Sequence, residues 1–452
     1  MKRVLIANRG EIALRIVRAC RRAGMESVAV YSEADPYCPH VWAADKSVCI
    51  GPARSAESYL NVNRILSAAH LSGADAIHPG YGFLAENADF ARACRKAGLT
   101  FVGPDPEHID CMGDKIQARA VAASNGVSVV PGSERGYCGS ELTEALEVAK
   151  SVGFPLLLKA SAGGGGRGMR VVSSLDEFDQ CFSQATQEAE GAFGNGTLYL
   201  ERYISAARHI EVQVFGDSHH NYRHYGERDC TVQRRHQKLM EESPSPALSD
   251  AQREKVCDMA LSLTSGIGYV NAGTVEFLFE PASGDFFFIE MNTRIQVEHP
   301  VTEMVTGMDL VAQQLHVANG ESLMSPLSTS ARWPHAMEWR INAEDPSRDF
   351  IPSPGRIDEW DYRKAQYLRF DSHVYPGYTV PPYYDSLLGK LIVAGASREE
   401  VLTRSRQILE RFLVNGIKTT IPFYLRLIDE TDFTNGEIHT RWVDDNLGRL
   451  YE

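Results

Sequence analysis

KASAGGGGRGMR, residues 159–170, sets four consecutive glycines between a lysine and two arginines. Glycine loses more backbone entropy on ordering than any other residue, so such a run has a use only where bare backbone must close on something, usually phosphate. As a P-loop the stretch fails: Gly163 and Gly168 have the G-x-x-x-x-G spacing, but Met169 and Arg170 stand where Lys and Ser/Thr belong. As a dinucleotide fingerprint, Gly163, Gly165 and Gly168 fit G-x-G-x-x-G, which should open a helix. The residues after Gly168 instead read as a β-type run, Met169-Arg170-Val171-Val172, with a helix only after Ser173 or Ser174 and Asp176 and Glu177 in its first turn. Leu156 to Leu158 also read as a strand, so the glycines join two strands. Such a hairpin is either a flap that closes over nucleotide phosphates, with Lys159 supplying charge, or a flexible surface turn.

Composition narrows the classes. The 452 residues are 43% hydrophobic, enough for a large core divided among two to four domains. A net charge of −13, from 46 basic against 59 acidic residues, excludes a nucleic-acid or anionic-membrane surface and leaves anion binding to local basic clusters such as Arg234-Arg235-His236-Gln237-Lys238. No stretch approaches the roughly 18 apolar residues of a membrane span, and MKRVLIANRG leads into a strand without a signal-peptide core. A cytoplasmic location is the expectation. Nine scattered cysteines without C-x-x-C point to reduced thiols and no zinc site.

The first hundred or so residues alternate strand and helix: VLIAN, a helix with Ile12, Ile16, Ala19 and Ala23 on one face, SVAVYS, ADAIHP and LTFVG. This is a doubly wound α/β pattern, yet its first turn, Asn8-Arg9-Gly10-Glu11, has one glycine where pyrophosphate binding needs three. A break at 129–140 leads into a separate lid carrying the flap, ending near TLYLERYI at 197–204. Strand-rich sequence covers about 210–290, a Pro- and Ser-containing link lies near 324–334, and an α+β unit closes the chain. Its helix is expected over about 398–414, with Ser397 and Glu400 as a capping box and Gly416 as the stop.

GTVEFLFEPASGDFFFIEMN, residues 273–292, carries the chemistry. Two β-rich runs flank Pro281-Ala282-Ser283-Gly284, so it reads as an antiparallel hairpin, and a turn centred on Ser283 sets Glu276 opposite Glu290. Alternation then puts Val275, Phe277, Phe279, Phe287, Ile289 and Met291 on the core face and Glu276, Glu290 and Asn292 on the other. Facing carboxylates repel unless a cation lies between them, and an all-oxygen set suits Mg²⁺ beside nucleotide phosphates. A register shifted by one would leave one glutamate merely exposed. If the strand continues, Arg294, Gln296 and Glu298 extend the same face as an oxyanion grip, an amide and a carboxylate base; a solvated face fits the pattern equally.

Taken together the motifs resemble biotin carboxylase, the ATP-grasp component of biotin-dependent carboxylases. The likeness runs through ANRGEIALRI (7–16), HPGYGFLAEN (78–87), MGDK (112–115), KASAGGGGRGMR, ERDCTVQRRHQK (227–238), EMNTRIQVEHPVTE (290–303), WRINAEDP (339–346) and PPYYDSLLGKLI (381–392), nearly the whole chain. Ala162 replaces a glycine of some members, and Arg202 stands where many have lysine. The resemblance implies an ATP-grasp fold: a preATP-grasp domain (1–113), an ATP-grasp domain (114–330) with a mobile lid at about 132–203, and a biotin carboxylase C-terminal domain (331–445). By it, Lys115 and Lys159 contact ATP phosphates and Gly165 and Gly166 belong to the lid. Glu201, Arg202, Tyr203 and Ile204 lie along adenine, and His209, Gln233 and His236 join the nucleotide pocket. Glu276, Glu290 and Asn292 hold two Mg²⁺ or Mn²⁺ ions. Lys238, Arg294, Gln296 and Val297 bind bicarbonate, Glu298 deprotonates it, and Arg340 lies beside the biotin ureido group.

The implied reaction is ATP- and bicarbonate-dependent carboxylation of biotin through carboxyphosphate, the first half-reaction of acetyl-CoA carboxylase in fatty acid biosynthesis. At an unperturbed pKa of about 4.3, Glu298 is an ionised proton acceptor at neutral pH. No carrier-like Ala-Met-Lys-Met segment occurs, so biotin is expected on a separate carrier protein, with carboxyltransferase subunits as further partners and a homodimer as the assembly. The same half-reaction serves pyruvate, 2-oxoglutarate and propionyl-CoA carboxylases. An ATP-grasp carboxylate–amine ligase is disfavoured by the RIQVEHPVTE and RINAEDP blocks, and a non-enzymatic nucleotide-binding regulator by the intact Glu276, Glu290, Arg294 and Glu298 set.

Overall fold

Val4, Leu5 and Ile6 are fully buried in the strand β1 (Arg3–Ile6), an apolar run of the kind that parallel sheets cover on both faces. A computed structural model describes residues 1–161, 168–325 and 333–451. In it, β1 lies at the centre of a five-stranded parallel sheet with β2 (Glu26–Tyr31), β3 (Lys46–Cys49), β4 (Ala76–His78) and β5 (Thr100–Phe101), ordered β3-β2-β1-β4-β5. The Gly10–Arg22 helix buries Ile12, Ile16 and Ala19, as their spacing requires; Ala23 is its exposed C-terminal cap, outside the apolar face assigned to it.

Strands β6 (Leu156–Ala160) and β7 (Met169–Val172) pair antiparallel, with Leu156 opposite Val172 and Lys159 opposite Met169. The glycine stretch therefore joins two strands, the reading that separates it from both helix-opening motifs. Gly165 and Gly166, and the expected link from 326 to 332, lie outside the described residues. Gly168, just before β7, has φ +75°, and a Cβ there would come 2.9 Å from the Ala160 Cβ, so no larger residue fits unstrained. The third strand, β8 (Leu198–Arg202), pairs with β6. The Phe178–Phe193 helix covers this sheet with Phe178, Phe182, Ala185 and Ala189, one helical face.

An eight-stranded sheet spans the rest. It contains β9 (Arg208–Gly216), β10 (Tyr222–Asp229), then, after a small hairpin of β11 (Gln233–Arg234) and β12 (Gln237–Lys238), β13 (Met240–Ser243), β14 (Asn271–Glu280), β15 (Asp285–Asn292), β16 (His335–Asn342), β17 (Leu368–Ser372) and β18 (Leu387–Gly395). Their spatial order is β15-β14-β9-β10-β13-β16-β18-β17. One sheet thus carries residues from the middle and the end of the chain, and the chemistry collects on it. In the closing unit the Arg398–Leu409 helix begins with Ser397 accepting from Glu400 N, half of the expected capping box. The Glu400 carboxylate reaches back to Ala396 N rather than to Ser397, and the helix ends at Leu409 rather than near 414. A short strand, Leu413–Asn415, comes next and pairs with Glu359–Asp361, so tertiary pairing claims residues that local pattern assigned to the helix. Gly416, at φ +99°, ends that strand.

The β14–β15 hairpin pairs Glu276 with Glu290, the expected opposition. The register is nevertheless interrupted: Phe277 faces Phe288 and Phe279 faces Phe286, leaving Ile289 as the extra residue of a bulge. The bulge reverses the phase of the outer half of β15. Phe286 and Phe288 enter the core with Val275, Phe277, Phe279 and Met291, whereas Phe287, assigned to that face from alternation, packs on the opposite side with Val130, Ile204 and Ala207. Ile289 likewise stands outside the core cluster.

Candidate active site

Residues 293–298 do not continue β15 as a strand; they form an irregular segment that turns into the His299–Thr306 helix. The expected strand alternation of Arg294, Gln296 and Glu298 is absent, yet the segment still brings two of them onto the sheet's polar face. Gln296 Nε2 donates to Glu276 Oε1 at 2.8 Å, and Glu298 is only 2% exposed. Arg294 turns outward to Glu86 of the N-terminal domain, Nε to Oε2 at 2.8 Å, while its Nη2 donates to Asn292 Oδ1 at 2.9 Å.

At the centre lies Lys238, delivered by the tight β11–β12 hairpin. Its Nζ donates to Glu211 Oε2 at 2.5 Å, Glu298 Oε1 at 2.6 Å and Glu276 Oε1 at 3.0 Å. Three carboxylates around one ammonium decide its protonation: burial opposes the charge, but Glu211, Glu276 and Glu298 hold it far above the usual lysine value. The reverse holds for Glu298, where burial would favour the neutral acid but Lys238, Arg340 and Arg228 keep it well below the carboxylate range. Arg340, on β16, donates from Nη2 to Glu298 Oε2 at 2.9 Å. The carboxylate is thus clamped between two cations, one on each oxygen.

Glu276 accepts from Lys238, Gln296 and Asn292, the last at 2.9 Å, and its second oxygen lies 3.1 Å from His209 Nε2. Burial raises its proton affinity, but Lys238 and His209 overcome that and hold it well below 4.5. Glu290 takes Lys115 Nζ at 3.0 Å. Each member of the opposed pair therefore meets a different lysine, Glu276 the shared Lys238 and Glu290 Lys115. His209, Glu211 and Glu276 bring ligand atoms within 4.8 Å of one another, so of the three expected metal ligands only Glu276 belongs to this cluster. An oxygen-rich set with two carboxylates fits a hard divalent cation, which supplies charge neutralisation for phosphate oxygens when bound.

The remaining candidates lie on β6, on β8 and the residues after it, on the β11–β12 hairpin and in the segment after β15. Lys159 Nζ lies 2.5 Å from Glu201 Oε2, and Glu201 also takes Arg119. Arg202 forms two bonds to Glu280 at 3.2 and 3.1 Å, Tyr203 Oη accepts from Arg441 at 3.0 Å, and Ile204 packs beside Phe287. Gln233 is buried and His236 exposed on the β11–β12 turn. Val297 contributes its carbonyl, which accepts from the fully buried Lys390 at 2.9 Å. The basic run around Lys238 is not one anion grip: Arg234 and Arg235 both pair with Asp349, because the tight turn points them away from Lys238.

Glu211, Arg228, Glu86 and Glu241 also belong to this network, and no motif in the sequence marks their roles. Glu211 lies two residues beyond His209 on β9, so period-two alternation alone placed it on the same face. Arg228 donates to Glu211, Gln213, Thr274, Gln296 and Thr302, tying four segments together at complete burial. Glu86 sits inside HPGYGFLAEN, and nothing local marks it as a partner of a residue over 200 positions away. All nine cysteines are unpaired, and among the described residues no helix is long and apolar enough to cross a membrane.

Three family models match consecutive stretches: the biotin carboxylase N-terminal domain over 1–109, the carbamoyl-phosphate synthase L chain ATP-binding domain over 114–325, and the biotin carboxylase C-terminal domain over 338–445. Biotin carboxylase 1 of Bacillus subtilis (strain 168) is 50% identical over 444 residues, covering 98% of each chain. A crystal structure of a Campylobacter jejuni biotin carboxylase–β,γ-ATP complex superimposes with a TM-score of 0.94 at 46% identity, over 98% of both chains. The biotin carboxylase domain dimer of Hydrogenobacter thermophilus 2-oxoglutarate carboxylase, with MgADP, ADP and bicarbonate, gives 0.93 at 44% identity, over 100% of this chain and 98% of that one. With its ATP-grasp fold and full-length identity to these proteins, the chain belongs to the biotin carboxylase family, an ATP-dependent ligase of the kind that serves biotin-dependent carboxylases.

Proposed function

We propose that this chain carboxylates biotin borne on a separate carrier protein, as the first half-reaction of an acetyl-CoA carboxylase. The observation that carries the reading is the clamp on Glu298, a buried carboxylate with Lys238 at 2.6 Å on one oxygen and Arg340 at 2.9 Å on the other. So clamped, Glu298 is too weak a base to take a proton from bicarbonate. Bicarbonate entering beside Arg294, Gln296 and the Val297 backbone draws Lys238 toward its own oxygens, and the proton affinity of Glu298 rises as that charge leaves it. The deprotonated anion attacks the γ-phosphorus of ATP, the bond to ADP breaks, and carboxyphosphate results. Lys115, Lys159 and Lys238 face the charge that spreads over the phosphoryl oxygens. Arg340 then faces the biotin ureido oxygen.

The nucleotide is proposed to lie between the two sheets, with Glu201, Arg202, Tyr203 and Ile204 along adenine and His209, Gln233 and His236 around the rest. Gly165 and Gly166 belong to the closing lid. Domain limits of 1–113, 114–330 and 331–445, with the lid over about 132–203, accord with this division of labour. Glu276, Glu290 and Asn292 are the proposed holders of Mg²⁺ or Mn²⁺; Lys238 and Lys115 sit where they compensate the two carboxylates. A biotin carboxyl carrier protein, carboxyltransferase subunits, a homodimer and a cytoplasmic location complete the proposal. Acetyl-CoA is the acceptor proposed from the family resemblance, and the 2-oxoglutarate carboxylase neighbour marks the alternative acceptor. The deciding assay is ADP release with bicarbonate, with and without free biotin. Bicarbonate-independent turnover, or turnover that requires an amine, would sink the reading.

Glu276→Gln and Glu290→Gln are each expected to raise the Mg²⁺ concentration for half-maximal activity by about tenfold, since each removes one anionic ligand, and tenfold corresponds to about 1.4 kcal/mol. A Mg²⁺ titration of ADP release checks this; wild-type behaviour in either variant removes that residue from the metal site. Free biotin is expected to give a kcat/KM far below that of carrier-linked biotin, because it lacks the remote contacts that orient the ureido ring. Equal values for the two substrates would count against a carrier.

A further inference from the structure

Two more glutamates face each other on the same polar side of the eight-stranded sheet, away from the metal hairpin. Glu241 on β13 is the direct cross-strand partner of Glu338 on β16, and both are fully buried. Opposed carboxylates in a dry site cannot both stay ionised without a cation for each. Here the cations are unequally shared. Glu241 Oε1 accepts from Arg340 Nε at 2.7 Å and from Arg340 Nη2, whereas neither oxygen of Glu338 has any hydrogen-bond partner among the described residues. Lys390, opposite Arg340 on β18, spends its ammonium on Glu11 at 3.1 Å and on the Val297 carbonyl.

We propose that Glu241 is a positioning residue for Arg340 and that Glu338 stands opposite it as a carboxylic acid, so that the pair carries one proton and one negative charge. The groups facing Glu338 are Glu241 from β13, Arg340 from its own strand, Lys390 from β18 and Glu298 from the segment before the His299–Thr306 helix; His299 faces Lys390. Burial, with Glu241 and Glu298 adding to it, pushes Glu338 well above the carboxylate range against the pull of Lys390 and Arg340. Burial raises Glu241 too, but Arg340, bonded to its Oε1, opposes that shift, and Glu338 has no such partner among the described residues.

The consequence rests on the function proposed above. Arg340 is shared by Glu298 and Glu241, and its main chain is fixed: its carbonyl accepts from Thr420 at 2.8 Å and Tyr424 at 2.6 Å. When Glu298 takes the bicarbonate proton, its hold on Arg340 lapses. Glu241 then keeps the guanidinium in place for biotin, and a neutral Glu338 lets Glu241 remain an anion there.

Three measurements on the full chain test this. The wild-type-minus-Glu338→Gln infrared difference spectrum at neutral pH is expected to show the carbonyl stretch of a protonated carboxylic acid; a carboxylate pair of bands instead overturns the proposal. A proton held only in the folded state favours folding below the unfolded glutamate pKa of about 4.3, and that contribution is lost as pH rises. Glu338→Gln should therefore gain Tm relative to wild type as pH increases, and a flat or falling difference overturns the assignment. Glu241→Gln is expected to lower biotin-dependent carboxylation about tenfold more than bicarbonate-dependent ATP hydrolysis without biotin, with Glu241→Asp recovering part of the loss. Equal losses in both outputs would reduce Glu241 to a folding residue. If wild type itself shows no bicarbonate-dependent turnover, the proposed function fails, while the infrared and Tm results still decide the protonation of the pair.

Discussion

Glu298→Gln is expected to lower bicarbonate-dependent ATP hydrolysis and biotin carboxylation together, each by about a thousandfold, within the range a general base contributes. The amide keeps the shape of the carboxylate but cannot accept a proton. It also turns one of the two close contacts, to Lys238 or to Arg340, into donor against donor, since each of those cations donates to a different carboxylate oxygen and the amide keeps only one. Without deprotonated bicarbonate no carboxyphosphate forms, so neither output survives. The measurement is ADP release and carboxybiotin formation side by side, with circular dichroism as the check on folding. Because Glu298 is held below its unfolded value of about 4.3, its share of stability is complete above that pH and is lost as the pH falls toward the folded value. The variant's Tm deficit should accordingly shrink in acid. A Glu298→Gln enzyme that hydrolysed ATP in response to bicarbonate at near wild-type rate would remove the base from this position.

Arg340→Ala is expected to separate the two outputs. Loss of a charge-assisted contact made mainly while biotin reacts costs roughly 3 kcal/mol, or about a hundredfold in carboxylation. The bicarbonate half suffers less. Lys238 still holds one oxygen of Glu298, so ATP hydrolysis without biotin should fall by no more than about tenfold. The loss is not zero, because Arg340 Nη2 sits 2.9 Å from Glu298 Oε2 and leaves that oxygen unpaired when it is removed. Removal of Arg340 also strands Glu241, which has no other hydrogen-bond donor on Oε1 among the described residues. Should the variant lose ATP hydrolysis as completely as Glu298→Gln does, Arg340 belongs to the bicarbonate half and its assignment to biotin must be withdrawn.

Much of this site is legible in local sequence because strand geometry is local. Alternation with a period of two places Glu276 and Glu290 on one side of a hairpin whose turn is marked by Pro281 and Gly284, and the pairing is its direct result. The strand character of Leu156–Leu158 and of Met169–Val172 likewise tells a strand-joining glycine stretch from a helix-opening loop before any contact is known. The long motifs supply the family, which no periodicity contains. Residues 293–298 show where alternation stops being informative. Polar and apolar residues alternate there without forming a strand, because a segment entering the His299–Thr306 helix is shaped by its neighbours rather than by a sheet partner.

What local pattern left open depends on which strands become neighbours. The bulge at Ile289 arises from how β14 and β15 fit together, and it alone sends Phe286 and Phe288, rather than Phe287, into the core. Arg294 meets Glu86 across 208 positions, and Lys238 collects Glu211, Glu276 and Glu298 from three separate stretches. The Glu241–Glu338 pair exists only because β13 and β16, almost a hundred residues apart, lie side by side. Charge in a dry interior is decided by such neighbours: burial raises the cost of every ionised group, and only the partners delivered by the fold determine which glutamates remain anions. Residue types and the opposition of Glu276 to Glu290 are therefore legible in the chain, whereas the face taken by Phe286–Phe288 and the protonation of Lys238, Glu298, Glu241 and Glu338 are properties of the folded sheet.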